Sequence, residues 1–282
     1  MVVVAVLAAA VLHAGWNAIA KGVTDRLGLF ARASVVEVAL GAGALWFVAP
    51  PRAAAVPWML ASVCVHVLYN LGLIAAYRVG DFNQTYPLAR GIGPLIVAVV
   101  AVTVLHEPLP PTQLAGVLLI AGAIGVLGLT PWRKVGHNRA AVVAAVLTGL
   151  AIATYTLLDG IGVRRSGSPI GYAAWLLALH AALTIPVAVI ARRTRWAQPE
   201  RPDQRRASWT LAAVAGVMAM LAYGLVLWAQ TRGALAAVAA LRESSVVVAA
   251  ALGVVVFREP LGRVRIAASV AVAAGVVLLA LA

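Results

Sequence analysis

The sequence predicts an all-α membrane protein with ten transmembrane helices, arranged as two inverted five-helix repeats around a central cavity. Three observations support this prediction: the share of apolar residues, the number of apolar runs, and a motif that occurs twice. Of the 282 residues, 63% are hydrophobic and only 11% are charged, whereas soluble domains are about one quarter charged. The chain therefore consists mainly of membrane spans and has no water-soluble core of ordinary composition.

A membrane-spanning helix needs about 20 mostly apolar residues. Ten stretches meet this condition, at residues 2–21, 28–48, 57–77, 82–105, 111–130, 139–161, 169–191, 208–231, 234–257 and 262–282. Because no basic segment precedes the first apolar run, we expect it to be a span rather than a cleaved signal. The connections are short and marked by helix breakers such as Pro50-Pro51. The longest connection, from Arg192 to Ser208, is too short and too polar to form a second domain.

The ten spans divide into two halves of five, residues 1–130 and 139–282. An odd number of spans per half makes the second half enter the membrane from the opposite side, as in many transporters. Arg90 precedes Glu107 by 17 residues and Arg242 precedes Glu259 by 17 residues, and each glutamate begins a Glu-Pro-Leu turn. The matched spacing predicts an inverted repeat. We expect each glutamate to accept hydrogen bonds at the N-terminus of the helix that follows it.

The net charge of +13 does not indicate nucleic-acid binding, because the basic residues lie singly or in short clusters between apolar runs. They indicate topology, since cytoplasmic loops carry an excess of Lys and Arg. Of the 22 basic residues, 16 lie on the side of the connections 1–2, 3–4, 5–6, 7–8 and 9–10, and Arg90 and Arg242 lie within spans. The other side has four: Arg52, Arg164, Arg165 and Arg232. This asymmetry predicts that both termini lie outside.

Spans one and three carry polar side chains at the i, i+3, i+4 spacing that places them on one helix face. They are His13, Trp16 and Asn17 in span one and His66, Tyr69 and Asn70 in span three. These faces are candidates for lining a substrate cavity, with interhelical hydrogen bonding as the alternative. No close set of three or four zinc ligands occurs, and the chain has one cysteine, Cys64. We therefore expect no metal, other cofactor or disulfide.

Span four contains an arginine that needs a partner or a function within the bilayer. Arg90 shares about one helix face with Asn83 and Tyr86, and prolines and glycines on both sides are expected to loosen the helix around it. Its guanidinium is suited to binding a substrate carboxylate or phosphate. The alternative is a structural ion pair with one of the intramembrane acids Glu37, Asp159 and Glu243.

Spans six and nine supply the remaining candidates for substrate binding. They are Tyr155 and Asp159, one turn apart in span six, and Arg242, Glu243 and Ser244, consecutive in span nine. Because Arg242 and Glu243 are adjacent, their side chains leave the helix on different faces and are not expected to pair. The candidates for carrying a coupling proton are His13, Asp159 and Glu243.

Several short segments occur together over the whole chain. They are Leu12-His-Ala-Gly-Trp-Asn17, Tyr77-Arg-Val-Gly-Asp81, Tyr86-Pro-Leu-Ala-Arg-Gly91, Tyr155-Thr-Leu-Leu-Asp-Gly160 and Leu241-Arg-Glu-Ser-Ser245. In this combination the chain resembles the EamA-type branch of the drug/metabolite transporter superfamily. The resemblance implies a ten-helix inverted-repeat fold, a cavity walled by spans 1, 3, 4, 6, 8 and 9, and secondary transport, often export, of small metabolites such as amino acids. Members with both termini in the cytoplasm are familiar, which is opposite to the orientation that the charges predict.

Together these features predict a multi-pass secondary transporter of the bacterial inner membrane that works by alternating access. Its expected substrate is a small polar metabolite, amino-acid-like or an organic anion, and its other expected partners are the lipid bilayer and a coupling proton. Common hydrolase, metalloprotease and phosphate-binding motifs are absent from the sequence, so no catalytic residue is predicted. Two alternatives stay open. One is an intramembrane enzyme in which Ser244 or Cys64 meets His13 or His66, and the other is a scaffold whose buried arginines are fully paired.

Overall fold

The computed structural model describes residues 1–23, 25–79, 82–130, 139–193, 208–256, 258 and 262–281, with the backbone alone at 26–27, 71–79, 82–88, 139–141 and 191–193. Within these ranges the chain is helical, with a 3-10 turn at Ala53–Ala55 and no strand. The first half forms α1 Val2–Gly22, α2 Arg26–Ala44, α3 Val56–Val79, α4 Phe82–Thr103 and α5 Pro111–Leu129. The second half forms α6 Arg139–Arg165, α7 Pro169–Arg193, α8 Trp209–Gln230, α9 Leu235–Arg242, α10 Ser245–Val255 and α11 Arg263–Leu281.

Among the described residues, eight segments are long and apolar enough to cross a membrane. They are Val2–Gly22, Ala53–Asn70, Pro111–Leu129, Val142–Arg165, Pro169–Ile190, Trp209–Gln230, Leu235–Val255 and Arg263–Leu281. The other two predicted spans correspond to α2 and to α4, of which Ala89–Thr103 is a shorter apolar helix. The all-helical membrane fold is therefore confirmed, and the number of ten spans stays a prediction.

The exterior of the bundle is apolar and its core is built from small residues. Large side chains such as Phe47 and Val99 are exposed, at 90% and 62% of their surface. The largest core cluster instead contains ten alanines, among them Ala9, Ala229 and Ala240. Because lipid tails are as apolar as leucine, helices in a membrane associate through close packing, and small residues let their backbones approach. This distribution is what a bundle surrounded by lipid requires.

Several helix contacts occur twice, once in each of two equivalent pairs. The equivalent of each span is the span five places later, and α9 and α10 together count as one span. The contact of α1 with α8 corresponds to that of α3 with α6, and the contact of α2 with α8 corresponds to that of α3 with α7. The contact of α4 with α6 corresponds to that of α1 with α9 and α10. The pairs α2–α7, α4–α9 and α5–α11 join a span to its own counterpart. These contacts are the ones that an exchange of the two halves would preserve, and the inverted repeat itself stays a prediction.

The same backbone conformation occurs before both Glu-Pro-Leu turns. In the described part of the chain, His106 and Arg258 are the non-glycine residues with positive φ, at 53° and 52°. This left-handed conformation costs a non-glycine residue about 1–2 kcal/mol. At the end of α4, Glu107 N donates to Ala101 O at 2.9 Å, six residues back, which ties the turn to the last residues of the helix. The repeated motif thus has the same unfavourable conformation at the same position.

The helices α5 and α11 touch through two glycines. A Cβ atom added to Gly275 would lie 2.6 Å from Ile120 Cγ1 and 2.9 Å from the Gly116 carbonyl oxygen. A Cβ atom added to Gly116 would lie 2.9 Å from the Gly275 carbonyl oxygen. Atoms of a side chain do not fit at these distances, so the two backbones are in direct contact.

We expect Gly275→Val to force α5 and α11 apart and to lower the unfolding temperature in detergent by roughly 2–10 °C, as for a typical overpacked core. The matched control is Gly122→Val on α5, where nothing lies within 4 Å of an added Cβ atom. Thermal unfolding of both variants checks the contact. Equal melting temperatures for the two variants would show that the helices do not meet at Gly275.

Candidate functional site

The ninth predicted span is broken in its middle. Helix α9 ends at Arg242 and α10 begins at Ser245. Across the break the backbone makes bonds to the residue three places back, such as Glu243 N to Ala240 O at 3.0 Å and Val246 N to Glu243 O at 3.0 Å. A 3-10 segment inside a helix often marks a functional hinge. The break falls on the consecutive polar residues that the sequence singled out in this span.

Proline and glycine in the sequence indicate a break in α4, but the break occurs in the ninth span instead. No proline or glycine occurs between Leu235 and Leu252, yet the helix is interrupted there. Helix α4 contains Pro87 and Pro94 and still runs unbroken from Phe82 to Thr103. Gly91 of α4 permits close packing instead, since a Cβ there would lie 2.9 Å from Gly125 N of α5. The loosening expected around Arg90 therefore does not interrupt α4.

Arg90 is held by partners from three helices. Its Nε donates to Glu243 Oε2 at 2.6 Å, and its Nη2 donates to Ser245 Oγ at 3.2 Å. Its Nη1 lies 2.9 Å from His13 Nε2 of α1. Because a guanidinium has only donors, the His13 nitrogen is the acceptor. Of the acids proposed as partners of Arg90, Glu243 is the one that forms the ion pair.

Arg242 has a much looser environment. Its Nε lies 3.7 Å from Glu243 Oε1, within ion-pair range but too far for a hydrogen bond. The expectation that these neighbours stay apart is therefore wrong in part. Arg242 Nε, Glu243 Oε1 and Ser244 Oγ are all buried without a hydrogen-bond partner in the described part of the chain. The guanidinium carbon lies 5.9 Å from the centre of the Tyr155 ring.

The buried cluster at the break has more positive than negative charge. Arg90 and Arg242 are 6% and 7% exposed, and the one carboxylate between them, Glu243, is 0% exposed. Glu243 uses one oxygen for Arg90, so it neutralises Arg90 well and Arg242 poorly. An arginine within a bilayer needs a counter-charge or water. The cluster is therefore suited to receive an anionic group.

Asp159 forms a separate buried site on α6. Its Oδ1 accepts a hydrogen bond from the Tyr172 hydroxyl at 3.1 Å, and its Oδ2 accepts one from the Tyr223 hydroxyl. Asp159 is fully buried. Its hydrogen-bond partners on α7 and α8 are neutral hydroxyl groups, and Arg242 interacts with it electrostatically without a hydrogen bond between them.

These features place the chain among known membrane proteins. A sequence profile of the EamA-like transporter family matches residues 139–281, just over half of the chain. The chain belongs to the EamA-like transporter family. This confirms the resemblance and makes the protein a multi-pass membrane transporter of the drug/metabolite transporter superfamily.

The fold of this EamA-like transporter also occurs in a solved crystal structure. That structure shares 18% sequence identity with the chain, covers 99% of this chain and 97% of its own, and has a TM-score of 0.74. At this identity the likeness shows the fold alone. No curated protein sequence matches the chain significantly.

In the EamA-like transporter, the candidates on α3 and α6 meet in an aromatic cluster. The His66 ring stacks on Tyr155 with centroids 4.0 Å apart, and Tyr69 packs edge-on against Tyr155 at 5.8 Å. Tyr223 of α8 lies edge-on to His66 at 5.6 Å. The stack thus extends from α3 to the ring beneath the Arg242 guanidinium, which brings candidates from spans three, six and nine together.

Helix α7 joins this cluster through two residues that were not predicted as site residues. Asn70 Nδ2 lies 3.1 Å from His180 Nε2 and donates to Thr184 Oγ1 at 3.3 Å. The His180 ring lies 5.1 Å from His66. His180 and Thr184 have the i, i+4 spacing that marked the other polar faces, so this pattern was available in the sequence. For Asn70 the structure shows the interhelical hydrogen bond that was the alternative to cavity lining.

The remaining candidates make other contacts or have side chains outside the described residues. Asn17 Nδ2 donates to the His13 carbonyl at 2.7 Å within its own helix. Trp16 contacts the His13 ring at 5.2 Å and Phe30 of α2 at 6.2 Å. The side chains of Asn83 and Tyr86 lie outside the described residues.

The described residues also bear on the alternative functions of the EamA-like transporter. Among them no group of three or more metal-ligating side chains occurs. Cys64 is exposed, and Ser244 Oγ has no hydrogen-bond partner among the described residues. Neither nucleophile is therefore bonded to a histidine there, as an intramembrane enzyme would need. A scaffold would have both arginines fully paired, and Arg242 is not.

We expect Arg90→Ala to destabilise the protein by about 3–5 kcal/mol, because it leaves the buried Glu243 carboxylate without its main cation. Adding Glu243→Gln should recover part of this loss, since the unpaired charge is then removed. Thermal unfolding of the two single variants and the double variant measures the coupling. Strictly additive losses would show that the two side chains do not interact.

Proposed function

We propose that this transporter is a secondary carrier of the bacterial inner membrane that binds a small zwitterionic or anionic metabolite at the α9–α10 break and moves it by alternating access. The observation that supports this most directly is a group of buried polar atoms at the break that have no hydrogen-bond partner among the described residues: Arg242 Nε, Glu243 Oε1 and Ser244 Oγ. A buried polar atom without a partner costs about 1–3 kcal/mol. A ligand that pairs with these atoms recovers this free energy.

The chemistry of the three atoms favours an amino-acid-like substrate. Arg242 supplies donors for a carboxylate, which a guanidinium binds well. Glu243 Oε1, 3.7 Å from Arg242 Nε, supplies an acceptor for an ammonium group beside that carboxylate. An organic anion without an ammonium group would satisfy Arg242 but would lie next to the Glu243 carboxylate. Tyr155, under the Arg242 guanidinium, offers an aromatic surface for an apolar part of the substrate.

The proposed alternating access rests on an inverted repeat of residues 1–130 and 139–282. The matched helix pairs and the repeated positive φ before each Glu-Pro-Leu turn support this repeat. Arg90 of the first half bonds Glu243 and Ser245 of the second half, so the site lies between the two halves. A site at the repeat interface, beside a discontinuous helix, is typical of secondary transporters.

The proposed coupling ion is a proton, and Asp159 is its proposed carrier. The other two candidates, His13 and Glu243, both bind Arg90. Asp159 instead has the hydroxyl groups of Tyr172 and Tyr223 as hydrogen-bond partners. A carboxyl group held by hydroxyls is able to bind and release a proton without breaking an ion pair.

The contacts of the four basic residues on the minority side support the proposed orientation, with both termini outside. Arg165 lies over the Trp58 ring at 4.9 Å, and Arg232 lies over the Trp228 ring at 4.8 Å. Arg52 packs against Gly167, and Arg164 bonds Glu107. Because each has a partner within the protein, packing explains their presence on a side with few charges. The basic residues of the other side then mark the cytoplasm.

We expect an amino acid such as L-leucine to raise the unfolding temperature of the purified protein, whereas leucinamide and 4-methylpentanoate raise it much less. Leucinamide lacks the carboxylate and 4-methylpentanoate lacks the ammonium group. Each of these two compounds therefore leaves one end of the proposed site without a partner. A ligand at 100 times its Kd stabilises a protein by about 2.7 kcal/mol. A thermal-shift panel that includes other side chains, with counterflow of the best ligand in proteoliposomes, makes the measurement.

Arg242→Gln should abolish this thermal shift, and Arg232→Gln should leave it unchanged. Arg232 is the matched control because it lies over the Trp228 ring in the turn between α8 and α9, away from the break. The proposed substrate class is refuted if no amino acid or carboxylate stabilises the protein, or if Arg242→Gln responds as strongly as the unmodified chain.

A further inference from the structure

One end of the transporter is tied together by another ion pair, between Arg164 and Glu107. Arg164 Nη1 donates to Glu107 Oε1. Arg164 Nε donates to the Gln230 carbonyl and Nη2 to the Gly233 carbonyl, both at 2.7 Å. Glu107 Oε2 accepts a hydrogen bond from Leu235 N at 2.9 Å. We call this group, Arg164 and Glu107 with the backbone of residues 230–235, the Arg164 clasp.

Glu107 has a different role in the clasp from the one that the sequence predicted. Its carboxylate was expected to cap α5, the helix that follows it, and it instead caps α9, which begins at Leu235. Glu107 lies in the turn between α4 and α5, whereas Arg164 lies at the end of α6. The clasp therefore joins the first half of the chain to the second half at the N-terminus of the helix that leads to Arg242.

Helix α9 fills the space between the clasp and the buried cluster. Every residue from Leu235 to Arg242 is buried. The Leu235 side chain packs so closely on Gly160 of α6 that an added Cβ would lie 2.5 Å from Leu235 Cδ2. Leu235 and Ala239 also form a core cluster with Val97 of α4. In this position α9 places a continuous run of buried residues between the clasp and Arg242.

We infer that the Arg164 clasp is a gate: while it is formed, α9 seals this end of the transporter, and separation of Arg164 from Glu107 lets α9 move and opens the path to Arg242. This rests on the alternating access of the proposed function. The pair is suited to opening and closing because it is partly exposed, 34% at the Arg164 side chain and 14% at Glu107. An ion pair that water reaches separates at a much lower cost than a fully buried one.

The geometry of the turn fixes the position of Glu107 in the closed state. His106, directly before it, has a φ of 53°, and the backbone N of Glu107 is bonded to Ala101 O. The carboxylate is therefore presented by a rigid helix end rather than by a flexible loop. On the other side, Arg164 uses all three of its guanidinium nitrogens in the clasp, so its removal releases both the carboxylate and the α8–α9 turn.

The test measures access to α9 from water and needs no substrate. Val238, which is 0% exposed in the middle of α9, is replaced by cysteine in a Cys64→Ser background. The protein, in lipid nanodiscs, is then treated with a membrane-impermeant maleimide. We expect slow labelling in this parent and labelling at least tenfold faster after Arg164→Gln, which corresponds to about 1.4 kcal/mol of bias toward the open state.

Arg165→Gln is the matched control, because it removes the same charge from the adjacent residue, whose guanidinium lies over Trp58. It should leave the labelling rate unchanged. Glu107→Gln is a second variant that keeps an oxygen for Leu235 N and loses the ion pair, and it should also speed labelling. The effects of Arg164→Gln and Glu107→Gln should not add, because both open one contact.

The gate is refuted if neither Arg164→Gln nor Glu107→Gln speeds labelling. It is also refuted if Arg165→Gln speeds labelling equally, since the effect would then reflect general loosening of this end. Melting curves of all variants exclude unfolding as the cause. The labelling experiment tests the gate, and the ligand-dependent thermal shift of the Arg242 variant tests the proposed substrate. A negative result in one experiment does not change the result of the other, so the two proposals are tested separately.

Discussion

The ion pair between Arg90 and Glu243 is the interaction on which the centre of this transporter depends. A charged side chain inside a bilayer is tolerated when the fold supplies its counter-charge and its hydrogen bonds. Arg90 obtains both from Glu243, His13 and Ser245, and these contacts join α4 to α1 and to both parts of the broken helix. The position of Arg242 follows from this arrangement. Because the carboxylate between the two arginines is hydrogen-bonded to Arg90, Arg242 has only the longer 3.7 Å contact with it, in a core that is rich in alanine.

The sequence was sufficient to predict the general fold, for reasons that are local. Apolar runs of span length, breakers between them and a repeated motif are visible without knowledge of contacts, and the all-helical membrane fold and the family followed from them. Polar residues at i, i+3 and i+4 indicated helix faces, and His66, Tyr69 and Tyr155 do meet. His180 and Thr184 have the i, i+4 part of this spacing, and they join the same cluster.

Other features were beyond sequence reasoning because they arise from contacts between distant residues. The break at Glu243 lies in a run without proline or glycine, and what distinguishes its position is the ion pair with a residue 153 places away. Glu107 caps a helix that begins 128 residues later, whereas a rule based on neighbouring residues selects the next helix. In α4 the prolines and glycines indicated a weak helix, but packing on α5 and α6 keeps it continuous. Tertiary contacts decided each of these cases against local propensity.

The glycine contact between α5 and α11 has a mechanical consequence. Two backbones that touch directly have no side chains between them that could change rotamer and absorb a displacement. The Gly116–Gly275 contact therefore makes these two helices a fixed post that belongs to both halves of the chain at once. In the proposed alternating access, the two halves would pivot about this contact, and the larger displacements would occur on the opposite side of the bundle.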